Sequence, residues 1–127
     1  MLGVMKFAEA LSENGNLILA YEPGRVLVDD RAYTEGLIVT SEHIVPGWGP
    51  ACAEDLATEH LEAILDLDPQ VILLGTGGTQ VFPDQRVYLP ALQRGLGIEV
   101  MDTGAACRTY NILVSEGRKV AAGLIMC

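Results

Sequence analysis

The chain has 127 residues, half of them hydrophobic, and a formal net charge of −9 at pH 7. This length is typical of one domain, so we expect a single unit spanning residues 1–127. Nucleic-acid binding depends on Lys and Arg that neutralise phosphates, and the eight basic residues here are few and dispersed. A nucleic-acid partner is therefore not expected. No apolar run approaches the ~20 residues that cross a membrane, so we expect no transmembrane segment.

The cysteine and histidine pattern argues against disulfide bonds and against metal sites. Cys52, Cys107 and Cys127 are an odd and sparse set, unlike a disulfide framework. No CxxC or HxxxH pair occurs, so neither a metal site nor a cofactor is expected. The apolar stretch within Met1–Leu11 is interrupted by charges and lacks the core of a signal peptide. These features predict a soluble protein of a reducing compartment, most simply the cytoplasm.

Turn signals divide the first third of the chain into short strands. The turns are marked by Pro23-Gly24 and Asp29-Asp30. The predicted strands are Leu17–Tyr21, Arg25–Val28, Arg31–Thr34 and Leu37–Thr40, extended by His43–Val45. Short strands separated by regular turns predict an antiparallel meander.

After this meander the apolar spacing becomes helical. Leu61, Ile64 and Leu65 recur at i, i+3 and i+4, which predicts a helix that Thr58 caps and Pro69 ends. The elements expected next are a strand at Val71–Leu74, a helix within Val87–Arg94, a strand at Ile98–Met101, a helix at Thr103–Glu116 and a strand at Val120–Met126. The predicted fold class is α/β, with a mixed central sheet, an N-terminal antiparallel meander and helices on one side.

Polar and reactive side chains crowd the ends of two predicted strands. The loop Gly75–Gly78 follows one strand, and Asp102-Thr103 begins the helix after the next. Alternating folds place binding sites at the carboxyl ends of strands. Glycine-rich loops and helix N-termini both offer N–H groups to anions. The candidate ligand-binding cleft is formed by Gly75, Thr76, Gly77, Asp102, Thr103, Cys107, Arg108 and Asn111.

Most of these residues, and the neighbouring Tyr110, also have a purely structural explanation. The Gly75–Gly78 loop can be a tight strand exit, and Asp102 can cap the helix. Arg108 can pair with one of the many acids, and Tyr110 can be a core residue with a bonded hydroxyl. Cys107 can be a buried cysteine. If the helix dipole and Arg108 favour its thiolate, it can instead be a redox sensor.

The single tryptophan, Trp48, lies between Gly47 and Gly49 in a loop rich in Pro and Gly. An exposed tryptophan in a loop is a candidate interface anchor. The alternative is that its ring covers a sheet edge.

Several segments together resemble a known family. They are Val71–Gly78, Phe82-Pro83, Gly95–Asn111 and Ser115–Arg118, and the longest contains Asp-Thr-Gly-Ala-Ala-Cys-Arg-Thr-Tyr-Asn. The chain resembles a bacterial member of a domain-of-unknown-function family that also contains the mitochondrial complex I assembly factor three and the adipogenesis-associated domain protein. The resemblance implies a layered β/β/α fold with a mixed central sheet and no established catalytic activity. Gly123 stands where the resemblance implies an alanine, and Arg108 is not part of the mitochondrial motif.

The resemblance also implies a function, because the mitochondrial relatives are non-enzymatic helpers in building a membrane respiratory complex. The leading hypothesis is a non-catalytic binding or assembly-helper module with a protein partner in a membrane or multi-subunit complex. The alternative is a small-ligand or anion-binding protein, or an enzyme, that uses the cleft between Gly75–Gly78 and Asp102–Asn111. Apolar edge strands in the meander also allow a homodimer.

Overall fold

The computed structural model describes residues 15–127, and the segment Met1–Leu11 discussed above lies outside them. The strands are β1 (Ile18–Glu22), β2 (Arg25–Val28), β3 (Arg31–Tyr33), β4 (Leu37–Val39), β5 (Ile44–Pro46), β6 (Val71–Gly75), β7 (Gly97–Met101) and β8 (Val120–Leu124). The helices are α1 (Thr58–Leu65), α2 (Leu89–Gln93) and α3 (Thr103–Ser115), with 3₁₀ turns at Ala53–Asp55 and Gln85–Tyr88.

The strands form two sheets. The first three make a small antiparallel sheet in the order β1-β2-β3, so the predicted meander is confirmed as far as Tyr33. The next two strands join the main sheet, whose order is β5-β4-β8-β6-β7. In this sheet β8 runs antiparallel to β4 and parallel to β6. All three residues of β4 are buried, which suits an inner strand of the main sheet.

The main sheet carries an apolar core on each of its faces. One core, which we call the α3 face, contains Leu73 and packs under α3 and the small sheet. The other, the Trp48 face, contains Ile72 and Leu74 and packs under α1, α2 and Trp48. The prediction of helices on one side is therefore wrong. A strand as continuously apolar as β6 needs cover on both faces, and helices supply part of it on each.

The predicted fold class is confirmed as a layered α/β domain with a mixed central sheet. One helix start differs in detail, because α1 begins at Thr58 while Ala57 is the capping position. The N–H of Ala57 donates to Nδ1 of His60 at 2.9 Å. A helix N-terminus leaves N–H groups without partners, and here a histidine ring satisfies one of them.

Cys52 and Cys127 form a disulfide, with their Cα atoms 4.9 Å apart. The expectation that the cysteines stay unpaired is therefore wrong. The two residues are 75 positions apart, so their spacing gives no sign of the bond. The fold brings them together because the Trp48 loop packs beside the end of β8. A Cβ at Gly36 would contact the Trp48 carbonyl and lie 3.3 Å from that of Leu124.

Candidate functional site

The two strand ends predicted to form a cleft lie side by side and bond directly to each other. The N–H of Gly77 donates to Oγ1 of Thr103 at 2.8 Å, and the N–H of Thr103 donates to the Gly77 carbonyl at 2.8 Å. The Thr103 hydroxyl in turn donates to the carbonyl of Ile125 at 2.7 Å. Thr103 is fully buried. Its side chain therefore joins the Gly75–Gly78 loop, α3 and the residue after β8.

The loop Gly75–Gly78 uses its N–H groups within the protein. Those of Thr76 and Gly78 donate to the carbonyls of Met101 and Cys127, at 2.9 and 3.1 Å. A Cβ at Gly75 would lie 2.9 Å from the Cα of Thr103, so glycine there permits the close approach of α3. The loop therefore acts as a tight strand exit, with its N–H groups directed at carbonyl and hydroxyl oxygens of the protein.

The hydroxyl of Thr76 closes the same loop on its other side. It donates to the carbonyl of Thr79 at 2.7 Å and accepts from the N–H of Val81 at 3.0 Å. Asp102 is the N-cap of α3, and its carboxylate accepts from the N–H of Ala105 at 2.8 Å. Both side chains thus satisfy local backbone groups.

Cys107 is the fifth residue of α3 and is only 3% exposed. Burial raises the pKa of its thiol to about 12, and this outweighs the lowering effect of Arg108. Arg108 does favour the thiolate, as expected, but burial has the larger effect and keeps the thiol protonated at neutral pH. A buried, protonated thiol is a poor nucleophile, so these properties argue against the redox-sensor alternative for Cys107.

Asn111 and Tyr110 attach α3 to the small sheet. The side-chain amide of Asn111 donates to the carbonyl of Ile18 at 2.6 Å and accepts from its N–H at 2.9 Å. The hydroxyl of Tyr110 donates to the carbonyl of Asn16 at 2.7 Å, and burial raises its pKa. The prediction that Tyr110 is a core residue with a bonded hydroxyl is confirmed, since it is fully buried.

The open part of the predicted site is a shallow cleft of about 270 Å³ between β1 and α3, which we call the β1–α3 cleft. Arg108 is exposed on its wall and forms no ion pair with any residue from 15 to 127. The predicted pairing of Arg108 with a nearby acid is therefore not seen. Tyr21, Cys107 and Asn111 also line this cleft. It presents one unpaired cation beside hydrogen-bonding groups that are already partly used.

Trp48 is 5% exposed, and its indole N–H donates to the carbonyl of His60 at 2.9 Å. The prediction of an exposed interface anchor is therefore wrong. A Cβ at Gly123 would lie 2.7 Å from Cη2 of Trp48 and 2.8 Å from Cδ1 of Ile64. Glycine at this position, instead of the alanine implied by the resemblance, makes room for the indole ring.

A different set of apolar side chains is exposed, and the sequence analysis did not single it out as a surface. Phe82, Leu89 and Leu92 are 74%, 48% and 58% exposed. Leu89 and Leu92 are three residues apart on α2, so they share a side of that helix. We call Phe82, Leu89 and Leu92 the Phe82–Leu92 segment. In the sequence this surface is visible only as Leu89 and Leu92, three residues apart on a very short helix. That spacing alone would place both side chains in a core.

Two features are missing from the part of the chain that the structure describes. Among residues 15–127, no three His, Cys, Asp or Glu side chains come together as metal ligands. No helix within that range is both long and apolar enough to cross a membrane.

The fold and site define a small α/β domain whose most chemically suggestive residues hold the structure together. The family model for a protein of unknown function, DUF498/DUF598, matches residues 18–125, and the chain belongs to this family. A crystal structure of a Bordetella parapertussis protein superposes with a TM-score of 0.82 at 35% identity, covering 87% of this chain and 94% of that one.

Two named relatives have been described in different terms. The "13 kDa major membrane protein" of Francisella tularensis is 29% identical over 106 residues, which cover 83% of this chain and 86% of the relative. The "NADH dehydrogenase [ubiquinone] 1 alpha subcomplex assembly factor 3" of Danio rerio is 33% identical over 113 residues. That match covers 87% of this chain and 64% of the relative, so the chain spans less than two-thirds of the assembly factor.

Proposed function

We propose that this protein is a non-catalytic assembly helper that binds a polypeptide subunit of a multi-subunit membrane complex. Support comes from its similarity to an assembly factor of a membrane enzyme. Further support comes from the longest motif, whose residues Asp102, Thr103, Tyr110 and Asn111 all make structural hydrogen bonds. Since these side chains are engaged in holding residues 15–127 together, binding is the simplest mode of action for this motif.

The observation that carries this proposal is the exposure of the Phe82–Leu92 segment. These three large apolar side chains are exposed within one short stretch of the chain. Monomeric proteins seldom expose a large apolar patch, and such patches mark interaction sites. Phe82 is the most exposed of the large hydrophobic residues in the described range. Charged residues Asp84, Arg86 and Arg94 are exposed within and beside the segment. An apolar centre beside charged groups is the usual composition of a protein interface.

The test is affinity capture from detergent-solubilised membranes with tagged wild type and two double variants. Phe82→Ser/Leu92→Ser removes the proposed contact. Leu19→Ser/Ile112→Ser is the matched control, because these residues are 55% and 59% exposed on other elements. We expect wild type and control to capture subunits of one identified membrane complex, and the first variant to lose at least ~90% of them, as an interface hot spot predicts. Equal capture by all three proteins would refute the assignment to this segment.

A second candidate function rests on Arg108 in the β1–α3 cleft, where an unpaired guanidinium can hold a carboxylate or phosphate through two hydrogen bonds. A ligand at roughly 100 times its Kd stabilises the fold by about 2.7 kcal/mol. The measurement is a thermal-shift series with phosphate and small dicarboxylates. Arg108→Ala should abolish any shift while Arg94→Ala keeps it. No shift in the wild type would remove this candidate.

The proposed helper role is compatible with a cytoplasmic location next to a membrane, which we retain as part of the proposal. The Cys52–Cys127 bond means that cysteine count no longer supports that location. Fractionation of cells with compartment-specific markers tests it directly. The predicted homodimer is tested by light scattering over a range of protein concentrations.

A further inference from the structure

The Cys52–Cys127 pair lies outside the functions proposed above, and its surroundings point to a chemistry of its own. Its Cα separation of 4.9 Å falls within the usual range for disulfides. The bond ties the loop after Trp48 to the residues after β8. Unlike Cys107, which is buried, Cys127 is exposed and Cys52 is half-buried.

Contacts other than the sulfur–sulfur bond hold each cysteine in place. On one side, the Cys52 carbonyl accepts from the N–H of Asp55 at 3.1 Å, where a 3₁₀ turn begins. Four residues earlier, Trp48 is buried and its indole is hydrogen-bonded. The loop that carries Cys52 is therefore anchored at both of its ends.

The partner cysteine is anchored just as independently. The Cys127 carbonyl accepts from the N–H of Gly78 at 3.1 Å, and the N–H of Ile125 donates to the Gly75 carbonyl at 3.0 Å. A Cβ at Gly77 would lie 2.6 Å from the Cys127 oxygen, so glycine permits this approach. Two thiols held this way stay near each other after the bond is broken. Their high effective concentration makes closure of the bond readily reversible.

The bond is also reachable from solvent. A cleft of about 350 Å³ runs beside it, lined by residues of the Trp48 loop including Ala51, and by Met126. Ala51 and Met126 are the chain neighbours of Cys52 and Cys127. The cleft thus opens beside the chain neighbours of both cysteines, and the residue Cys127 is itself exposed. A small thiol can approach from this side, and thiol–disulfide exchange requires such access.

We propose that Cys52 and Cys127 form a reversible redox modification site whose co-reactant is a low-molecular-weight thiol such as glutathione. The thiolate attacks Sγ of Cys127, forming a mixed disulfide, and Cys52 leaves as a thiolate that takes a proton from water. A second thiolate attacks the mixed disulfide and releases the oxidised co-reactant and the Cys127 thiol. Two small thiols are thus oxidised to one disulfide while the protein disulfide is reduced to two thiols.

The experiment incubates the purified full chain in glutathione buffers that range from fully oxidised to fully reduced. Thiols are then trapped with an alkylating reagent and counted by mass spectrometry under native and denaturing conditions. We expect the reagent to alkylate both Cys52 and Cys127 in reduced native protein, and to alkylate Cys107 only after denaturation. Far-ultraviolet circular dichroism should be unchanged by reduction, and return to oxidised buffer should restore the bond.

Reduction should also lower the melting temperature, because the bond closes a loop across 75 positions. Chain-entropy arguments for so long a loop suggest a fall of roughly 10–20 °C. The Cys52→Ser and Cys127→Ser variants should both have the melting temperature of the reduced protein. The Cys107→Ser variant should be reduced and reoxidised at the same glutathione ratios as the wild type.

Three results would overturn the proposal. They are a bond that is reduced only in denatured protein, unfolding of the protein on reduction, and failure of the serine variants to fold. Each would show that the bond is a permanent structural disulfide. Because thiols are counted without any partner present, failure here is distinguishable from failure of the assembly role.

Discussion

The two faces of the main sheet are held together by different means. On the α3 face, polar side chains join segments far apart in sequence, as Asn111 does with Ile18 and Tyr110 does with Asn16. On the Trp48 face, apolar packing around Trp48 and the Cys52–Cys127 bond have that role. The residues that look most reactive in the sequence lie on the first of these faces. Except for Cys107 and the exposed Arg108, the fold itself uses their hydrogen-bonding groups.

The geometry of the small sheet explains why the α3 face needs polar side chains. Strand β1 is an edge strand, so one row of its N–H and C=O groups has no strand beside it. A helix packs against this edge, but its own backbone groups are already bonded within the helix. The Asn111 side chain offers one donor and one acceptor to Ile18, as a neighbouring strand would. An asparagine in such a motif is therefore an architectural part.

The largest predicted effect would disturb the Trp48 face. Trp48→Ala should lower the free energy of unfolding by about 3–5 kcal/mol, because it empties a large buried volume and leaves the carbonyl of His60 without its indole partner. Urea unfolding measures the change. Phe82→Ala is the control, since that aromatic side chain is 74% exposed and should cost less than about 0.5 kcal/mol. Equal costs for the two variants would contradict the assignment of Trp48 to the core.

Alkaline pH should act on the α3 face. The pKa of Cys107 rises from 9.0 to about 12 on folding, so above pH 9 the unfolded chain loses this proton while the native protein keeps it. The unfolded state then binds fewer protons, and stability should fall by up to ~1.4 kcal/mol per pH unit between pH 9 and 12. Below pH 9 this group should have no effect.

The measurement is urea unfolding from pH 7 to 11 in a Cys52→Ser/Cys127→Ser background, which prevents an unfolded thiolate from attacking the disulfide. Cys107→Ala in the same background should remove the part of the slope that begins near pH 9. Tyr110, whose hydroxyl pKa is also raised by burial, should leave a slope that begins near pH 10. An unchanged slope in the Cys107→Ala protein would contradict the assignment.

Much of the fold was predictable because it depends on local patterns. A few neighbouring residues are enough to predict the Pro23-Gly24 turn, the strand β6 and the helix cap at Asp102. The split of the meander was not predictable, because β4 joins the main sheet by pairing with β8, more than 80 positions later. That pairing depends on burial of both faces of β4, and periodicity in three residues cannot report it.

The sequence predicted that the two strand ends lie side by side, but not that their polar groups bond to each other. Parallel β6 and β7 do bring Gly77 and Thr103 together, as the order of elements implied. Spacing alone could not say whether their N–H groups face a ligand or oxygens of the protein, since that depends on how closely α3 approaches the Gly75–Gly78 loop. The Cys52–Cys127 bond and the burial of Trp48 are similarly products of long-range packing.

Thr103→Val would test whether the contact between strand ends is structural. The substitution keeps the shape but leaves the N–H of Gly77 and the carbonyl of Ile125 unpaired in a buried place. We expect a loss of about 1–3 kcal/mol in unfolding free energy. Thr109→Val on the same helix is the matched control, because its hydroxyl makes only a 3.6 Å contact to the sulfur of Met101. A cost no larger than that of the control would show that water or a ligand satisfies these groups.

The smallest effect separates capping from catalysis at Asp102. Its carboxylate accepts from the N–H of Ala105, so Asp102→Ala should destabilise the protein by about 1 kcal/mol. Asp102→Asn should restore most of this loss, because an amide oxygen caps as well as a carboxylate and only the attraction of the charge to the helix dipole is gone. Full rescue of stability and of partner capture by asparagine would make Asp102 a cap alone. Rescue of stability without rescue of capture would show instead that a partner recognises the charge at the start of α3, and would move the functional surface from the Phe82–Leu92 segment to the start of α3.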